Sequence, residues 1–471
     1  MTGVDATAGK ETAGEGTAGK ETEGKRGRVA VVGGGLAGIT AALAVQEAGL
    51  RATVYEARPR LGGATHSFDR GDLTVDNGQH IFLKCCTAYQ GLLRRLGAED
   101  HVRVQDRFDV RVLTPDGGGG RLRRAKLPAP LHLVPALARY SLLSPGDRVR
   151  AVRVSQALDR LDPALPELDG IAMGPWLAER GQRPRARAAL WELFVTAALN
   201  IRLDDAALGL AAMVCRTGLL DRSDAADIGV PAVPLGELHG TIARARIEAG
   251  GGRVELGAKV TAIEDGPKLV VNGAPVAADA VVVAVPHRVA SSLVPERASP
   301  DRGDWSRLGS SPIVNVHVVY DRPVLDEPFV AAIDSPVQWV FDRTAISGLT
   351  TGQYLAVSVS AADDWIDTPT AELREVYLAA LERLFPAARR AYVTDFFVTR
   401  ERHATFRQSP GSGALRPATA TRLPWLFLAG AWTDTGWPDT MEGAVRSGLS
   451  AARLVRRHLS ETNADAGVSS R

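Results

Sequence analysis

Apolar residues crowd this chain at a few places, and glycine or proline borders each of them. Residues 29–45 carry no charge and consist of a β-branched run, three glycines at 33–35, then an Ala/Leu run. An uncharged stretch of that length invites reading as a membrane span. Glycines at its centre break it instead into a strand, a tight turn and a buried helix over 39–48. Arg51-Ala-Thr-Val-Tyr-Glu56 reads as a second strand, and Ala280-Val-Val-Val-Ala284-Val285-Pro286 as a buried strand that proline ends. Trp425-Leu-Phe-Leu-Ala-Gly430 repeats that pattern and is followed, past a polar turn, by an Ala/Leu/Arg helix to about His458. Helical spacing recurs over 147–161, 186–199, 236–249 and 370–385, and β-rich runs appear at 253–256, 259–263, 313–320 and 354–360. The pattern predicts an α/β protein.

A chain of 471 residues favours two or three domains, and with 45% hydrophobic and 23% charged residues most of it should fold. The exception is 1–27, where Thr-Ala-Gly-Lys-Glu-Thr occurs at both Thr7 and Thr17 and almost nothing apolar is available to bury. A disordered tail is expected there, and another over 461–471. The opening residues lack the basic-then-apolar order of a secretory signal. A net charge of +2 gives no drive toward nucleic acid, and Cys85, Cys86 and Cys215 cannot build a disulfide framework or a zinc knuckle. A reducing, cytoplasmic setting follows, without metal.

Arg28-Val-Ala-Val-Val-Gly33-Gly-Gly35-Leu36-Ala37-Gly38 is a strand running through G-x-G-x-x-G into a helix. Gly33 permits the turn, Gly35 lets backbone approach a pyrophosphate, and Gly38 lets helix pack on strand. The helix N-terminus then offers unpaired amides to the anion. Glu56 lies 21 residues beyond Gly35, where a carboxylate accepts from ribose hydroxyls and repels a 2′-phosphate.

Glu56-Ala57-Arg58-Pro-Arg60-Leu-Gly62-Gly63 adds a glycine pair just past that acid. With it the chain resembles the flavin amine oxidase superfamily, which includes amine oxidases, protoporphyrinogen oxidases and phytoene desaturases. The resemblance implies an FAD-binding Rossmann-like (GR2-type) domain with an inserted α+β substrate domain. It also implies that 56–64, including Ala64, wraps the adenosine and diphosphate, and that Val260 lies beside the adenine. Ala64 departs from the usual Arg, and Arg60 is a candidate substitute. Gly436-Trp-Pro-Asp439-Thr-Met441-Glu442-Gly443-Ala444 resembles the C-terminal flavin motif, its helix N-terminus suiting the negative charge of reduced flavin near N1. After Gly430 the usual Asp is Ala431, leaving Thr433 or Asp434 to meet the ribityl chain. On this footing 28–90, 230–290 and 415–460 form the FAD domain, and 91–229 with 291–414 the substrate domain.

Asp76-Asn77-Gly78-Gln79-His80, Leu199-Asn200-Ile201 and the C-terminal motif together resemble the hydroxysqualene dehydroxylases of hopanoid biosynthesis. That implies an apolar C30 isoprenoid substrate, reductive loss of an allylic hydroxyl and hydride from reduced FAD. A general acid is needed. His80 is one candidate because imidazole titrates near neutrality, and Asp439 is another if burial raises its pKa; a structural His and a helix-capping Asp are the plainer readings. Arg121-Leu-Arg-Arg-Ala-Lys126 beside the proline-broken apolar stretch to Tyr140 suits peripheral contact through 121–140 with the inner face of a membrane. Two other functions stay open: a phytoene-type desaturase with electrons flowing the other way, and a non-catalytic prenyl carrier on the same fold. The pattern leaves oligomeric state undetermined.

Overall fold

A computed structural model describes residues 27–468, so the tail expected over 1–27 lies outside the described residues except for Gly27. Five parallel strands form one sheet, in the order Arg253–Leu256, Arg51–Glu56, Arg28–Val32, Ala280–Val283, Leu426–Leu428. Arg28–Val32, Ala280–Val283 and Leu426–Leu428 are short and, past Arg28, apolar on both sides because both faces are covered. Val29 and Val31 face one layer, where helices Leu36–Glu47, Ile242–Ala249 and Met441–Val468 pack; Ala30 and Val32 face the other. That second layer is a three-stranded meander, Val260–Glu264, Lys268–Val271 and Ala274–Ala277, with helix His287–Leu293. The strand expected over 259–263 therefore belongs to the meander and not to the parallel sheet. Strand order reverses beside Arg28–Val32, and a crevice opens at the carboxyl ends of the strands where the chain departs to opposite sides.

A second, seven-stranded sheet runs Val393–Thr405, Ser311–Tyr320, Gln353–Val359, Trp339–Asp342, Phe329–Ala332, Asp109–Leu113, Gly119–Arg123. All its pairings are antiparallel except Phe329–Ala332 with Asp109–Leu113. Helix Thr370–Leu384 covers one face through Leu373, Tyr377 and Leu381. A further helical core gathers Pro145–Asp159, Met173–Glu179, Leu193–Leu199 and Leu208–Cys215. The two halves meet at the hairpin Ser67–Arg70/Leu73–Asp76, which delivers 77–80 to the crevice.

The last helix continues to Val468, so 461–468 are helical where a tail was expected. It crosses helix Leu36–Glu47 at Gly448, where a Cβ would stand 2.3 Å from the carbonyl oxygen of Ala37. Backbone, not a side chain, occupies that space, so the contact has no easy relaxation. Gly448→Ala should separate the two helices and lower the melting temperature, with loss of any bound flavin, whereas Gly303→Ala, with nothing within 4 Å, should melt like the parent. Thermal unfolding of both variants checks this; equal melting would remove the close approach as a constraint.

Candidate functional site

The glycine motif and the glycine pair are pressed together. Gly62 N donates to Gly34 O at 2.9 Å, and Gly35 bridges Gly62. A Cβ on Gly63 would lie 2.9 Å from Gly35 Cα, and one on Gly38 would lie 1.9 Å from Gly33 O. Gly33, Gly62 and Gly63 also hold positive φ (105°, 97° and 58°), which side chains avoid. The helix begun at Leu36 leaves the amides of Leu36, Ala37 and Gly38 without acceptors among the described residues. Glu56 is buried, with Oε2 accepting from Gly34 N at 2.7 Å and Oε1 from Arg58 N at 2.8 Å. Each carboxylate oxygen keeps a lone pair for a ribose hydroxyl. Arg58, Ala57 and Ala64 are exposed at the crevice rim, and Arg60 reaches back to Gly63 O at 3.3 Å.

At the other end, Gly430 N donates to Ser447 Oγ at 2.8 Å, clipping the last strand to the final helix. Gly430 stands at φ 134°, and Trp432 folds beneath it, its Nε1 donating to Val285 O at 2.9 Å. Thr440 Oγ1 accepts from Gly443 N at 3.2 Å, so it is Thr440, and not Asp439, that caps the helix. Met441 and Glu442 amides have no acceptor among the described residues. The Glu442 side chain turns away: it accepts from Ala88 N (3.0 Å), Tyr89 N (2.7 Å) and Arg446 Nε (2.8 Å), capping helix Thr87–Leu96. Its expected cofactor contact is thus limited to backbone, whereas the Ala444 amide already donates to Thr440 O at 2.9 Å. Thr433 is buried with its hydroxyl donating to Gly430 O, while Asp434 is exposed and its Oδ1 accepts from Gly436 N at 3.3 Å. Val260 is half-buried at the start of the meander.

This donor set fits FAD. Two helix N-termini with free amides suit the diphosphate and the anionic edge of a reduced flavin, a buried carboxylate suits the ribose, and backbone lacking Cβ atoms lets both approach.

The strand ending at Asp76 is held by groups the sequence did not single out. Asp76 is buried against Arg343 (Nη2 to Oδ2, 2.5 Å) and accepts from Ser67 Oγ and Leu235 N. Asn77 donates to Ala64 O (2.8 Å) and Glu401 Oε1 (3.0 Å), and accepts from His66 N at 3.0 Å. Its carbonyl takes Asn315 Nδ2 and Thr399 Oγ1.

His80 follows this anchor, with Nδ1 3.2 Å from Gly78 O. Burial pushes its pKa below the ordinary imidazole value, against the opposing pull of that carbonyl. A neutral ring donating through Nδ1 presents Nε2 as an acceptor, which cannot give up a proton. His66 and His239 nearby are held neutral by burial too, at about 4 and about 3. Asp439 behaves oppositely. Burial raises its carboxyl to about 6, although Phe406 N (2.8 Å to Oδ2) and Arg416 pull it down. Cys85 and Cys86 are half-buried and Cys215 is buried.

The profile of the family described as "Flavin containing amine oxidoreductase" matches residues 36–456. The chain is 30% identical over 444 residues to a hydroxysqualene dehydroxylase of Rhodopseudomonas palustris, covering 91% of this chain and 98% of that one. It is 26% identical to a 15-cis-phytoene desaturase of Narcissus pseudonarcissus, covering 91% and 79%. Putrescine oxidase bound to putrescine shares the fold at a TM-score of 0.69 and 22% identity, covering 91% and 98%.

Glu56→Gln should weaken FAD binding by about tenfold or more, since an amide accepts through one oxygen and strands Gly34 N or Arg58 N at about 1–3 kcal/mol. Fluorescence titration of the apoprotein with FAD reads this; unchanged affinity would remove Glu56 from the site.

Proposed function

Because the chain belongs to the flavin containing amine oxidoreductase family, we propose that it is an FAD-dependent oxidoreductase that converts hydroxysqualene to squalene. The observation that carries the substrate is the end-to-end likeness to the Rhodopseudomonas palustris enzyme, nearly the full length of both chains. Bound FAD in its reduced form supplies the hydride that replaces the hydroxyl. The chain's residues supply the proton, so the carbon–oxygen bond breaks to give water and the allylic carbon gains hydrogen.

Asp439 is the acid in this reading. Its support is a carboxyl raised to about 6 by burial, one free oxygen, and a place two residues before the helix N-terminus at Met441. An acid with that pKa keeps a usable protonated fraction near neutrality. His80, neutral and accepting through Nε2, orients the substrate hydroxyl and gives up no proton. The two helix N-termini, Leu36 and Met441, hold the cofactor through backbone.

The reading includes a peripheral membrane contact through 121–140. Arg121 and Arg123 both pair with Asp109, and Arg124 pairs with Asp227, so the basic cluster is largely neutralised internally. The support shifts to exposed Leu127, Leu131 and Val134, with Leu131 54% exposed, beside Lys126. Among the described residues no helix is long and apolar enough to cross a membrane.

An anaerobic single turnover tests the reaction: photoreduced holoenzyme mixed with hydroxysqualene in detergent should form squalene as flavin reoxidises. Flavin that stays reduced, combined with oxidation of a phytoene-like polyene by the oxidised enzyme, would replace this reading by desaturation. Asp439→Asn should lower kcat by about 10²–10⁴-fold. Since the acid must be protonated, the parent rate should fall as pH rises through about 6, and that limb should vanish in Asp439→Asn. His80→Ala retaining the limb at reduced rate fits orientation; loss of the limb would return the proton to His80. Leu127→Glu with Leu131→Glu should weaken cosedimentation with anionic vesicles without changing the melting temperature.

A further inference from the structure

Arg416 is buried, with 8% of its surface exposed, on the segment leading to the last strand. Its guanidinium donates to Ala431 O (3.0 Å), Thr433 O (2.5 Å from Nη2), Trp437 O (2.7 Å) and Thr435 Oγ1 (3.2 Å). Its central carbon sits 5.3 Å from the Phe406 ring centroid. No carboxylate among the described residues lies within ion-pair distance of it. A desolvated cation usually has one, because isolated burial of charge costs several kcal/mol. Its backbone acceptors all belong to the turn between Gly430 and Met441, and that turn is packed against the helix N-terminus: a Cβ on Gly443 would lie 3.5 Å from Ala431 Cβ. Position 431, which carries no carboxylate here, adjoins the guanidinium.

We propose that Arg416 is the positioning residue for the flavin end of the cofactor: it ties the 431–437 turn together through its hydrogen bonds, and its charge, which no carboxylate pairs directly, adds to the helix N-terminus at Met441 in favouring the anionic reduced flavin. The charge is held rigidly by four carbonyl and hydroxyl partners, so it requires no reorganisation when electrons arrive. Burial away from bulk water lets it act over a longer distance than a surface arginine would. The inference rests on the chain holding FAD in this crevice and is independent of the substrate assigned above.

The test is the reduction potential of the flavin in purified holoenzyme, equilibrated with a reference dye during slow anaerobic reduction. Arg416→Gln, which keeps some hydrogen bonding but no charge, should lower the reduced-to-oxidised ratio at a fixed potential at least tenfold, about 30 mV for a two-electron couple. Arg416→Lys keeps the charge and loses the multiple hydrogen bonds. It should stay within threefold of the parent ratio while melting at a lower temperature. Should Arg416→Gln fail to fold, Arg416→Lys decides alone: a potential within threefold supports the assignment, and a tenfold shift with the charge retained overturns it. Flavin-bound Arg416→Gln with the parent potential also overturns it. Parent protein without a flavin band near 450 nm, even after reconstitution with FAD, would overturn the FAD reading and this inference together.

Discussion

Backbone touching backbone is the constraint from which this molecule is built. Three segments far apart in sequence meet where no Cβ intervenes: Gly33 to Gly38 after the first strand, Gly62 and Gly63 after the second, and Gly448 on the last helix. Each contact places a carbonyl or a Cα where a side chain would otherwise stand. The result is a crevice walled by peptide groups, whose exposed dipoles are the ligand-binding chemistry. Glycine's entropic disadvantage in a helix or turn, about 0.5–1 kcal/mol at each such position, is offset by the packing that this approach allows.

Around that crevice polar groups join the two halves beside apolar packing, in which Trp305, Leu308 and Phe406 share one buried cluster with Val281 and Leu428. The buried Asp76–Arg343 pair reaches from the hairpin over 67–76 into the second sheet, and Asn77 ties the glycine-pair segment, Glu401, Asn315 and Thr399 to one carboxamide and one carbonyl. A buried ion pair of this kind contributes little net stability, but breaking it leaves a charge stranded, so its arrangement is strongly specified. Specification is what a site needs between two rigid sheets. His317, stacked on Phe397 and bonded to Tyr354 and Thr399, extends the same network deeper into the second sheet, and burial holds its ring neutral at about 3.

Much of the nucleotide fold was legible because its signals are local. Glycine spacing, the acid ending Arg51–Glu56 and the apolar strand Ala280–Val283 each follow from a few consecutive residues. That Val260 begins a separate three-stranded meander was not legible, since a short alternating strand reads alike in either sheet. Glu442 sits inside a flavin-like motif, yet its carboxylate caps a helix begun 355 residues earlier at Thr87, a partner no local pattern names. His80 and Asp439 were both visible as residues, but their protonation is set by burial and by Phe406 and Gly78, which depends on tertiary structure. Arg416 gave no signal at all. One arginine among many looks like a surface residue until its acceptors are known.

The crossing at Gly448 also has a bearing on how the chain is made. Helix Leu36–Glu47 is apolar and almost wholly buried, and its cover is the final helix, more than 400 residues downstream. At ribosomal speeds of about 5–20 residues per second, that first helix waits roughly 20–80 s for its partner. The fifth strand of the parallel sheet, Leu426–Leu428, arrives equally late. Assembly of the nucleotide domain is thus deferred until the residues from Met441 onward have been made, and until then the nascent chain carries an uncovered greasy helix, the sort of surface that holding chaperones bind.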